Sequence, residues 1–225
     1  MKNENPAPVD PPTLVIGDKN YSSWSLRPWL LMRQFGISFN EVMLPLDTEE
    51  FQHRIGRYSP TGRVPALHIG DEVIWDSLAI CETVNERWLS GRAWPADPKP
   101  RAAARSAAAE MHSGFSALRS QLSMDCKRRP GVPGWDAAAA RDIARIEALW
   151  SDLRSRFGGA GEFLCGEFGI VDAMFAPVCV RFRGYGPALG ATALDYMRQV
   201  LDLPAMREWQ AAAEAEPARA GTDHA

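Results

Sequence analysis

The pattern of hydrophobic residues changes near residue 90, and this change limits the folds that the chain can adopt. Residues 13 to about 88 alternate short strand-like runs with helix-like segments. Beyond about residue 99, alanine-rich segments separated by Gly or Pro predict helices only, because alanine is the strongest helix former. The sequence therefore predicts an α/β domain followed by an all-α domain, in a chain of 225 residues that is long enough to build hydrophobic cores for both.

The first part of the chain predicts a small mixed sheet covered by helices. Strands are predicted at 13–16, 39–46, 64–69 and 72–75, with Gly70-Asp71 as a tight turn between the last two. Helices are predicted near 26–35, 49–55 and 78–88, which gives the order βαβαββα. In the second part, helices are predicted at 99–125, 136–157, 171–182, 191–201 and 205–215.

Composition sets the expected domain boundaries. Residues 1–12 contain four prolines and no apolar run, which predicts a disordered arm rather than a signal peptide. The α/β domain is expected at 13–88, a Gly- and Pro-rich linker at 89–98, the helical domain at 99–215 and a frayed tail at 216–225.

Charge and cysteine content exclude several classes of function. The formal charge of -3, from 25 basic and 28 acidic residues, argues against a nucleic-acid partner bound through broad phosphate neutralisation. Cysteines 81, 126, 165 and 179 have neither CxxC spacing nor nearby histidines, so we expect no metal site and interpret them as free thiols in a reducing cytoplasm. No apolar run approaches the ~20 residues that cross a bilayer, so no membrane partner is expected.

Residues 20–30, with the sequence NYSSWSLRPWL, follow the first predicted strand and open a helix. Ser25 is the expected N-cap, and Pro28 is expected in the first turn, where a missing N–H costs nothing. Ser22 and Ser23 then lie near the positive end of the helix dipole, where a hydroxyl can donate to an anion. The alternative is that these serines only form a polar turn.

Two further segments are RVPAL at 63–67 and WDSLAI at 75–80. Their order and spacing, together with YSSWS at 21–25 and the all-helical second half, resemble the glutathione S-transferases over about residues 13–215. YSSWS is similar to the serine motif of the zeta-type branch, which includes maleylacetoacetate isomerases. The resemblance implies a thioredoxin-like N-terminal domain and a C-terminal helical bundle domain. It also implies a cytoplasmic homodimer that uses reduced glutathione as co-substrate against a small electrophile, with a role in detoxification.

The resemblance also implies roles for residues of the first domain. Ser22 is the implied thiol-contacting serine, counted back from Gly36 at the helix end, with Ser23 as the second choice. Val64 and a cis Pro65 would meet the cysteinyl part of glutathione. Because only about 5–6% of X–Pro bonds are cis, the cis form follows from the resemblance alone, and a trans proline at an edge strand is the alternative.

The pair Asp76-Ser77 stands where the family usually has Glu-Ser or Gln-Ser. Asp76 would meet the γ-glutamyl ammonium and Ser77 the γ-glutamyl carboxylate at a helix N-terminus. Aspartate is one methylene shorter than glutamate, so a simple helix cap is the alternative for Asp76. Arg63 and His53 are candidates for the glycyl carboxylate, and solvated surface positions are the alternative for both.

In the second domain, the resemblance implies an electrophile pocket on one helix, lined by Arg105, Met111, His112 and Phe115. A plain core face is the alternative for that helix. Asp172 resembles the family's helix-capping aspartate, a structural role. Gly169 stands where the capping partner is usually Ser or Thr, so the predicted capping box is incomplete.

The function expected from the resemblance is a glutathione transferase that adds the thiolate to small electrophiles. The alternatives are a zeta-like glutathione-dependent cis-trans isomerase, a glutathione peroxidase, or a non-catalytic module with the same fold that binds other proteins. The serine motif together with Asp76-Ser77 favours an enzyme.

Overall fold

The computed structural model describes residues 10–131 and 134–217. Most of the predicted N-terminal arm (1–9) and of the predicted tail (218–225) lies outside the described residues. Within the described ranges, no helix is both long and apolar enough to cross a bilayer.

The first domain is a four-stranded mixed sheet with helices, as predicted. Its elements are β1 (Thr13–Ile16), α1 (Ser23–Gln34), β2 (Asn40–Met43), α2 (Glu49–Arg54), β3 (Ala66–Ile69), β4 (Glu72–Trp75) and α3 (Ser77–Trp88). The strand order is β2-β1-β3-β4, with β1 parallel to β2 and antiparallel to β3. The hairpin β3–β4 pairs Ile69 with Glu72, and Gly70 takes a positive φ of 60° in the two-residue turn.

The strand β1 is central because three consecutive apolar side chains, Leu14, Val15 and Ile16, are fully buried. Leu14 and Ile16 pack toward α1 and α3 in the larger core cluster, whereas Val15 packs with Phe51 and Ile55 on the other face of the sheet. A continuous apolar run of this kind indicates a strand that is covered on both faces.

The helix α1 begins three residues earlier than the predicted bound of 26. Ser25 is therefore not the N-cap, which is a correction: Ser22 holds that position and Ser25 is buried in the first turn. Pro28 consequently lies inside the helix, where it leaves the Trp24 carbonyl without the N–H donor that a continuous ladder would supply.

The second domain is helical, with α4 (Pro98–Ser113), α5 (Ser116–Gln121), α6 (Ala137–Phe157), α7 (Ile170–Tyr185), α8 (Ala191–Asp202) and α9 (Pro204–Ala215). The single helix predicted at 99–125 is two helices. The break is at Gly114 and Phe115, because Phe115 takes a left-handed φ of 58° that ends one helix before the next begins.

The helix α7 joins the two domains. Its side chains from Ile170 to Phe182 are buried, and it packs against α1 of the first domain as well as against α4 and α8. Side chains of both domains form one continuous hydrophobic cluster. The helix α1 is thereby held against the helical domain, which positions the site described next.

Candidate functional site

A cavity of about 270 Å³ opens beside α1 and α3. It is lined by Trp24, Thr61, Arg63, Val64, Pro65, Trp75, Asp76 and Ser77. Five of these residues are the predicted ligand-binding positions of the RVPAL and WDSLAI segments. Of the remaining predicted positions in this domain, His53 is exposed on α2 and does not line the cavity. Ser22 and Ser23 lie at the start of α1, next to the lining residue Trp24.

The Val64–Pro65 peptide bond is cis, as the resemblance implied. Pro65 is buried immediately before β3, and Val64 is only partly buried. Both residues line the cavity.

Asp76 is the N-cap of α3. Its Oδ1 accepts hydrogen bonds from the N–H groups of Leu78 at 2.9 Å and Ala79 at 3.3 Å. The capping alternative is thus present in the structure, while Oδ2 lies 3.2 Å from His112 Nε2. Asp76 also has a positive φ of 75°, a conformation that costs a non-glycine residue about 1–3 kcal/mol. Strain of this kind at a cavity edge is typical of a binding site.

Ser77 is buried at the first position of α3, and its Oγ accepts a hydrogen bond from Arg27 at 3.3 Å. The Asp76 carboxylate accepts the N–H groups of Leu78 and Ala79. In the first turn of α3, the Ser77 N–H is therefore the donor that can bind a ligand. A carboxylate is the natural ligand for a helix N-terminus that also carries a hydroxyl and a nearby guanidinium.

A hydrogen-bonded pair of hydroxyls precedes and enters α1. Ser22 is buried, and its Oγ donates to Ser25 Oγ at 2.7 Å. Ser25 Oγ also accepts the N–H of Gly17, just after β1, at 3.1 Å. No acidic residue lies in the first turn of α1, so the partial positive charge of this helix end is not neutralised from within the helix.

The helical domain holds the loop that leads to Ser22. The Glu216 carboxylate accepts hydrogen bonds from the N–H groups of Lys19 at 2.7 Å and Asn20 at 3.0 Å. Trp209 Nε1 donates to the Lys19 carbonyl at 2.9 Å. This role of Glu216 is not predicted from the sequence, where residue 216 falls in the expected frayed tail, because nothing local to residue 216 indicates a contact with residue 19.

Trp24 lies among charged side chains. The guanidinium carbons of Arg27 and Arg119 are 4.2 Å and 4.4 Å from the Trp24 ring centroid, and the ring of His112 makes an edge contact at 5.4 Å. Burial lowers the pKa of Arg27 to about 9, helped by the positive charges of Arg119 and Arg181. Burial also lowers the pKa of His112, against the opposing effect of Asp76, so the imidazole is mostly neutral at pH 7.

The predicted electrophile pocket is only partly brought to this site. His112 lies at the site, because it contacts the cavity-lining residues Asp76 and Trp24. Met111 and Phe115 are buried in the core, and Arg105 is exposed, with its guanidinium 5.7 Å from the ring of Trp94. Arg27, Arg119 and Arg181 are not among the residues predicted from the sequence. A signal was present for Arg27, which is a lone cation between apolar residues near the start of its helix.

Asp172 lies at the start of α7, buried in the helical domain. Its carboxylate accepts hydrogen bonds from the N–H of Gly169 at 2.9 Å, the N–H of Leu164 at 3.1 Å and the hydroxyl of Tyr196 at 3.1 Å. Burial raises the pKa of Asp172 to about 6, and these hydrogen bonds limit the rise. The capping box is half formed, because Gly169 has no side chain to return the bond.

No group of three or more His, Cys, Asp or Glu side chains within residues 10–131 and 134–217 is placed to hold a metal ion.

Comparisons with known proteins point to one family. The model of the glutathione S-transferase N-terminal domain matches residues 21–87, and that of the glutathione S-transferase C-terminal domain matches residues 136–212. The chain is 27% identical to maleylacetoacetate isomerase of Pseudomonas aeruginosa over 197 residues, which span 83% of this chain and 88% of that protein. It is 34% identical to dichloromethane dehalogenase of Methylorubrum extorquens over 65 residues, which span 28% of this chain and 23% of the dehalogenase.

Solved structures show the same fold. A glutathione transferase homologue from Burkholderia, with bound glutathione, has a TM-score of 0.70 at 21% identity and covers 92% of this chain and 100% of its own. A tau-class glutathione S-transferase from mango, Mangifera indica, has a TM-score of 0.69 at 18% identity, with coverage of 91% and 96%.

Proposed function

The chain belongs to the glutathione S-transferase family, and from this premise we propose that it binds reduced glutathione in the cavity beside α1 and α3 and presents the thiolate to a small electrophile. One observation carries the proposal. Val64, Pro65 and the capped start of α3 line a single cavity, and Trp24, which also lines it, lies two residues after Ser22.

Each part of glutathione has a chemically matched partner in this arrangement. The backbone of Val64 pairs with the cysteinyl unit, and the Ser77 hydroxyl and N–H bind the γ-glutamyl carboxylate. Asp76 meets the γ-glutamyl ammonium through lone pairs that its capping bonds leave available, since each carboxylate oxygen can accept more than one hydrogen bond. Arg63 at the cavity wall is the partner for the glycyl carboxylate, and His53 lies outside the cavity.

Ser22 stabilises the thiolate. A cysteine thiol has a pKa of about 8.5, and lowering it by two units requires about 2.7 kcal/mol of preferential binding to the anion. One hydroxyl donor to a charged acceptor supplies about 1.5–3 kcal/mol and the helix terminus about 0.3–1 kcal/mol. Together these contributions amount to about 1.8–4 kcal/mol, a range that includes the required 2.7 kcal/mol. Ser23 is the alternative donor.

The Ser22 hydroxyl reaches the thiolate by rotating about its own C–O bond. Ser22 donates to Ser25 in the unliganded chain. When Ser22 turns its proton to the thiolate, Ser25 can donate to Ser22 while it still accepts the N–H of Gly17. Hydrogen bonds in such a chain polarise one another, which strengthens the terminal donor.

In the reaction, the thiolate sulfur supplies the electron pair of a new C–S bond to the electrophilic carbon. In a substitution, a leaving group such as chloride departs with its bonding pair. In an addition to an activated alkene, the adjacent carbon takes a proton from water. Binding of the neutral thiol would not support either step, because the thiolate is the nucleophile.

A cis-trans isomerase is the second candidate, favoured by the similarity to maleylacetoacetate isomerase over 83% of this chain. There the thiolate adds to a carbon–carbon double bond, the resulting single bond rotates, and elimination restores the double bond and the thiolate. Atoms and charge are unchanged over the cycle.

Calorimetric titration with reduced glutathione and turnover of 1-chloro-2,4-dinitrobenzene, followed by chloride release, test the proposal. We expect glutathione to bind and to support turnover, and we expect no turnover when S-methylglutathione, which has no free thiol, replaces it. Turnover of maleylacetoacetate without chloride release from the aryl chloride assigns the isomerase. Glutathione binding without turnover of either substrate assigns a binding module, and absence of glutathione binding contradicts the proposal.

We also propose that the protein acts in the cytoplasm, because glutathione is kept reduced there, and that it is a homodimer.

A further inference from the structure

His112 belongs to the helical domain, but its side chain bonds to the first domain. It lies in the last turn of α4, and its Nε2 is 3.2 Å from Oδ2 of Asp76, the N-cap of α3. The rings of His112 and Trp24 also make an edge contact, with their centroids 5.4 Å apart. Asp76 and Trp24 both line the cavity, so His112 joins two sides of the candidate site to the helical domain.

The contacts of His112 indicate which of its ring nitrogens carries a hydrogen. An ionised carboxylate only accepts hydrogen bonds, so Nε2 carries the hydrogen and donates it to Asp76. Nδ1 is buried and has no hydrogen-bond partner among the described residues. A second proton, on Nδ1, would create a buried and charged donor without an acceptor, which is unfavourable. The neutral imidazole with its hydrogen on Nε2 is therefore the form that fits this position.

The charges around His112 come from three other elements. Burial is the largest cause that lowers the pKa of His112, and the carboxylate of Asp76 acts in the opposite direction. The positive charges of Arg27 on α1 and Arg119 on α5 add to the lowering. The electrostatics therefore agree with the hydrogen bonds: His112 is mostly neutral at pH 7 and gains a second proton only below its ordinary pKa of 6.5.

The carboxylate of Asp76 is held at both oxygens, and one acceptor position remains. Oδ1 accepts the N–H groups of Leu78 and Ala79, and Oδ2 accepts the Nε2–H of His112. A carboxylate offers about four acceptor positions, so the remaining one is on Oδ2, beside His112. None of the three donors carries a charge when His112 is neutral, so the negative charge of Asp76 stays available for a cationic ligand.

We propose that His112 is a positioning residue for Asp76: the neutral imidazole holds Oδ2 by a hydrogen bond, and the carboxylate keeps its charge for the γ-glutamyl ammonium. The ammonium then binds at the same oxygen as His112. A protonated His112 places a like charge beside the ammonium and neutralises Asp76, so glutathione binding weakens. This inference rests on the proposed function, which assigns the ammonium to Asp76. It gives His112 a role in glutathione binding instead of the predicted role in the electrophile pocket.

Calorimetric titration with S-methylglutathione at pH 5, 6 and 7 tests this role. The ligand has no thiol to ionise. Its carboxylates and its ammonium keep their charges over this range, because α-carboxyl groups titrate at about 3.3–3.7 and α-amino groups at about 7.7–8.0. The wild-type dissociation constant should be about three- to fivefold higher at pH 5 than at pH 7, since two like charges about 4 Å apart lower an affinity about fivefold even in water.

Two substitutions of His112 separate its hydrogen bond from its charge. His112→Phe keeps a ring beside Trp24 but removes the donor, and it should raise the dissociation constant at pH 7 about 3–10-fold, the loss expected for one hydrogen bond. His112→Gln keeps a neutral donor that cannot gain a proton. It should bind within about twofold of the wild type at pH 7 and should lose the pH dependence.

Two further variants complete the test. In the Asp76→Asn background, His112→Phe should change the affinity less than about twofold, because His112 acts through Asp76. His68→Gln is the control for replacing a histidine of the chain. The Nε2 of His68 lies 2.8 Å from the Tyr58 carbonyl oxygen, and His68 does not line the cavity. This variant should keep the affinity and the pH dependence of the wild type.

The outcomes separate this inference from the proposed function. An unchanged dissociation constant for His112→Phe at pH 7 overturns the inference, and so does a pH dependence that persists in His112→Gln. An equal loss for His112→Phe with and without Asp76→Asn shows that His112 does not act through Asp76, which also overturns it. Each of these results leaves glutathione binding by the wild type in place. If the wild type binds neither glutathione nor S-methylglutathione at pH 7, the proposed function itself is wrong.

Discussion

Ser25 Oγ lies 2.7 Å from Ser22 Oγ and also accepts the N–H of Gly17 at 3.1 Å, which ties the proposed catalytic hydroxyl to the end of β1. Ser25 is fully buried, so water does not compete for this bond. Since a hydroxyl can both accept and donate, Ser25 fixes where the Ser22 oxygen sits without fixing where its proton points. Ser25 is therefore a positioning residue for Ser22.

Ser22→Ala should raise the pKa of the bound glutathione thiol by about one to two units, because it removes a hydroxyl donor worth about 1.5–3 kcal/mol to the thiolate. Ser25→Ala should raise the same pKa by less, because it removes only the support for Ser22. Thiolate absorbance in the far ultraviolet, followed against pH with glutathione saturating, measures both.

Ser23→Ala is the matched control for these serines, since Ser23 is the first residue of α1 and stands next to Ser22. An unchanged thiol pKa in Ser22→Ala with a raised one in Ser23→Ala would transfer the role to Ser23. No shift in either variant would leave the helix terminus as the sole source of thiolate stabilisation.

Ser77→Ala should weaken glutathione binding about 10–100-fold with little effect on the saturated rate, because it removes one charge-assisted contact to the γ-glutamyl carboxylate. Isothermal titration calorimetry gives the dissociation constant. Thr83→Ala is the control on the same helix: its hydroxyl bonds the Ala79 carbonyl, and Thr83 does not line the cavity. Equal affinities for Ser77→Ala and the wild type would reduce Ser77 to a structural residue.

The fold could be predicted from local patterns where these patterns are unambiguous. The strands at 13–16 and 72–75 have their predicted bounds, because a short apolar run and a Gly-Asp turn specify them without help from distant residues. The start of α1 could not be predicted in the same way, because Ser22, Ser23 and Ser25 are all good N-caps. Burial of Ser25 against Gly17, a tertiary contact, decides among them.

The candidate site likewise contains residues that could be predicted from the sequence and residues that could not. RVPAL and WDSLAI are each a short continuous segment, so the resemblance of these segments to the glutathione S-transferases was enough to identify their cavity-lining residues. Arg27 and Arg119, which both contact the Trp24 ring, come from α1 and α5, which are far apart in sequence, and the position of Arg119 depends on the break at Phe115. A lone arginine in an apolar helix shows that a partner is needed but does not identify that partner.

The native mass in solution should be about twice the chain mass of 24.8 kDa. This prediction follows from the membership of the family, in which dimers are common. Multi-angle light scattering at micromolar concentration measures the mass. A single mass of 24.8 kDa across the accessible concentration range would contradict the homodimer.

Glu216→Ala should destabilise the fold by about 1.5–3 kcal/mol and should also raise the thiol pKa of bound glutathione, because the carboxylate accepts the N–H groups of Lys19 and Asn20 just before Ser22. Denaturant unfolding and the thiolate titration measure the two effects. Glu214→Ala is the control, because Glu214 pairs with the exposed side chain of Arg129 and such a pair contributes about 0–1 kcal/mol. Destabilisation without a change in thiol pKa would show that Glu216 supports the fold but does not position Ser22.

Asp172→Asn should remove a pH dependence of stability that has an unusual sign for an aspartate. The pKa of Asp172 is raised by burial from 3.8 to about 6, so the folded chain holds a proton that the unfolded chain releases between these pH values. The difference in unfolding free energy between wild type and D172N should therefore fall as pH rises from about 4 to about 6. The expected fall is about 2 kcal/mol over this range, out of about 3 kcal/mol for the complete titration.

Denaturant unfolding of wild type and D172N at pH 4, 5 and 6 gives this difference directly, and groups common to both chains cancel. Asp136→Asn is the control of opposite sign. Asp136 caps α6, and its hydrogen bonds with Gln121 and the α6 backbone lower its pKa. Its stabilising effect is lost as pH falls, so the difference between wild type and D136N should not shrink as pH rises from 4 to 6. A D172N difference that is constant across this range would mean that Asp172 stays ionised, with its three hydrogen bonds from Gly169, Leu164 and Tyr196 outweighing the cost of burial.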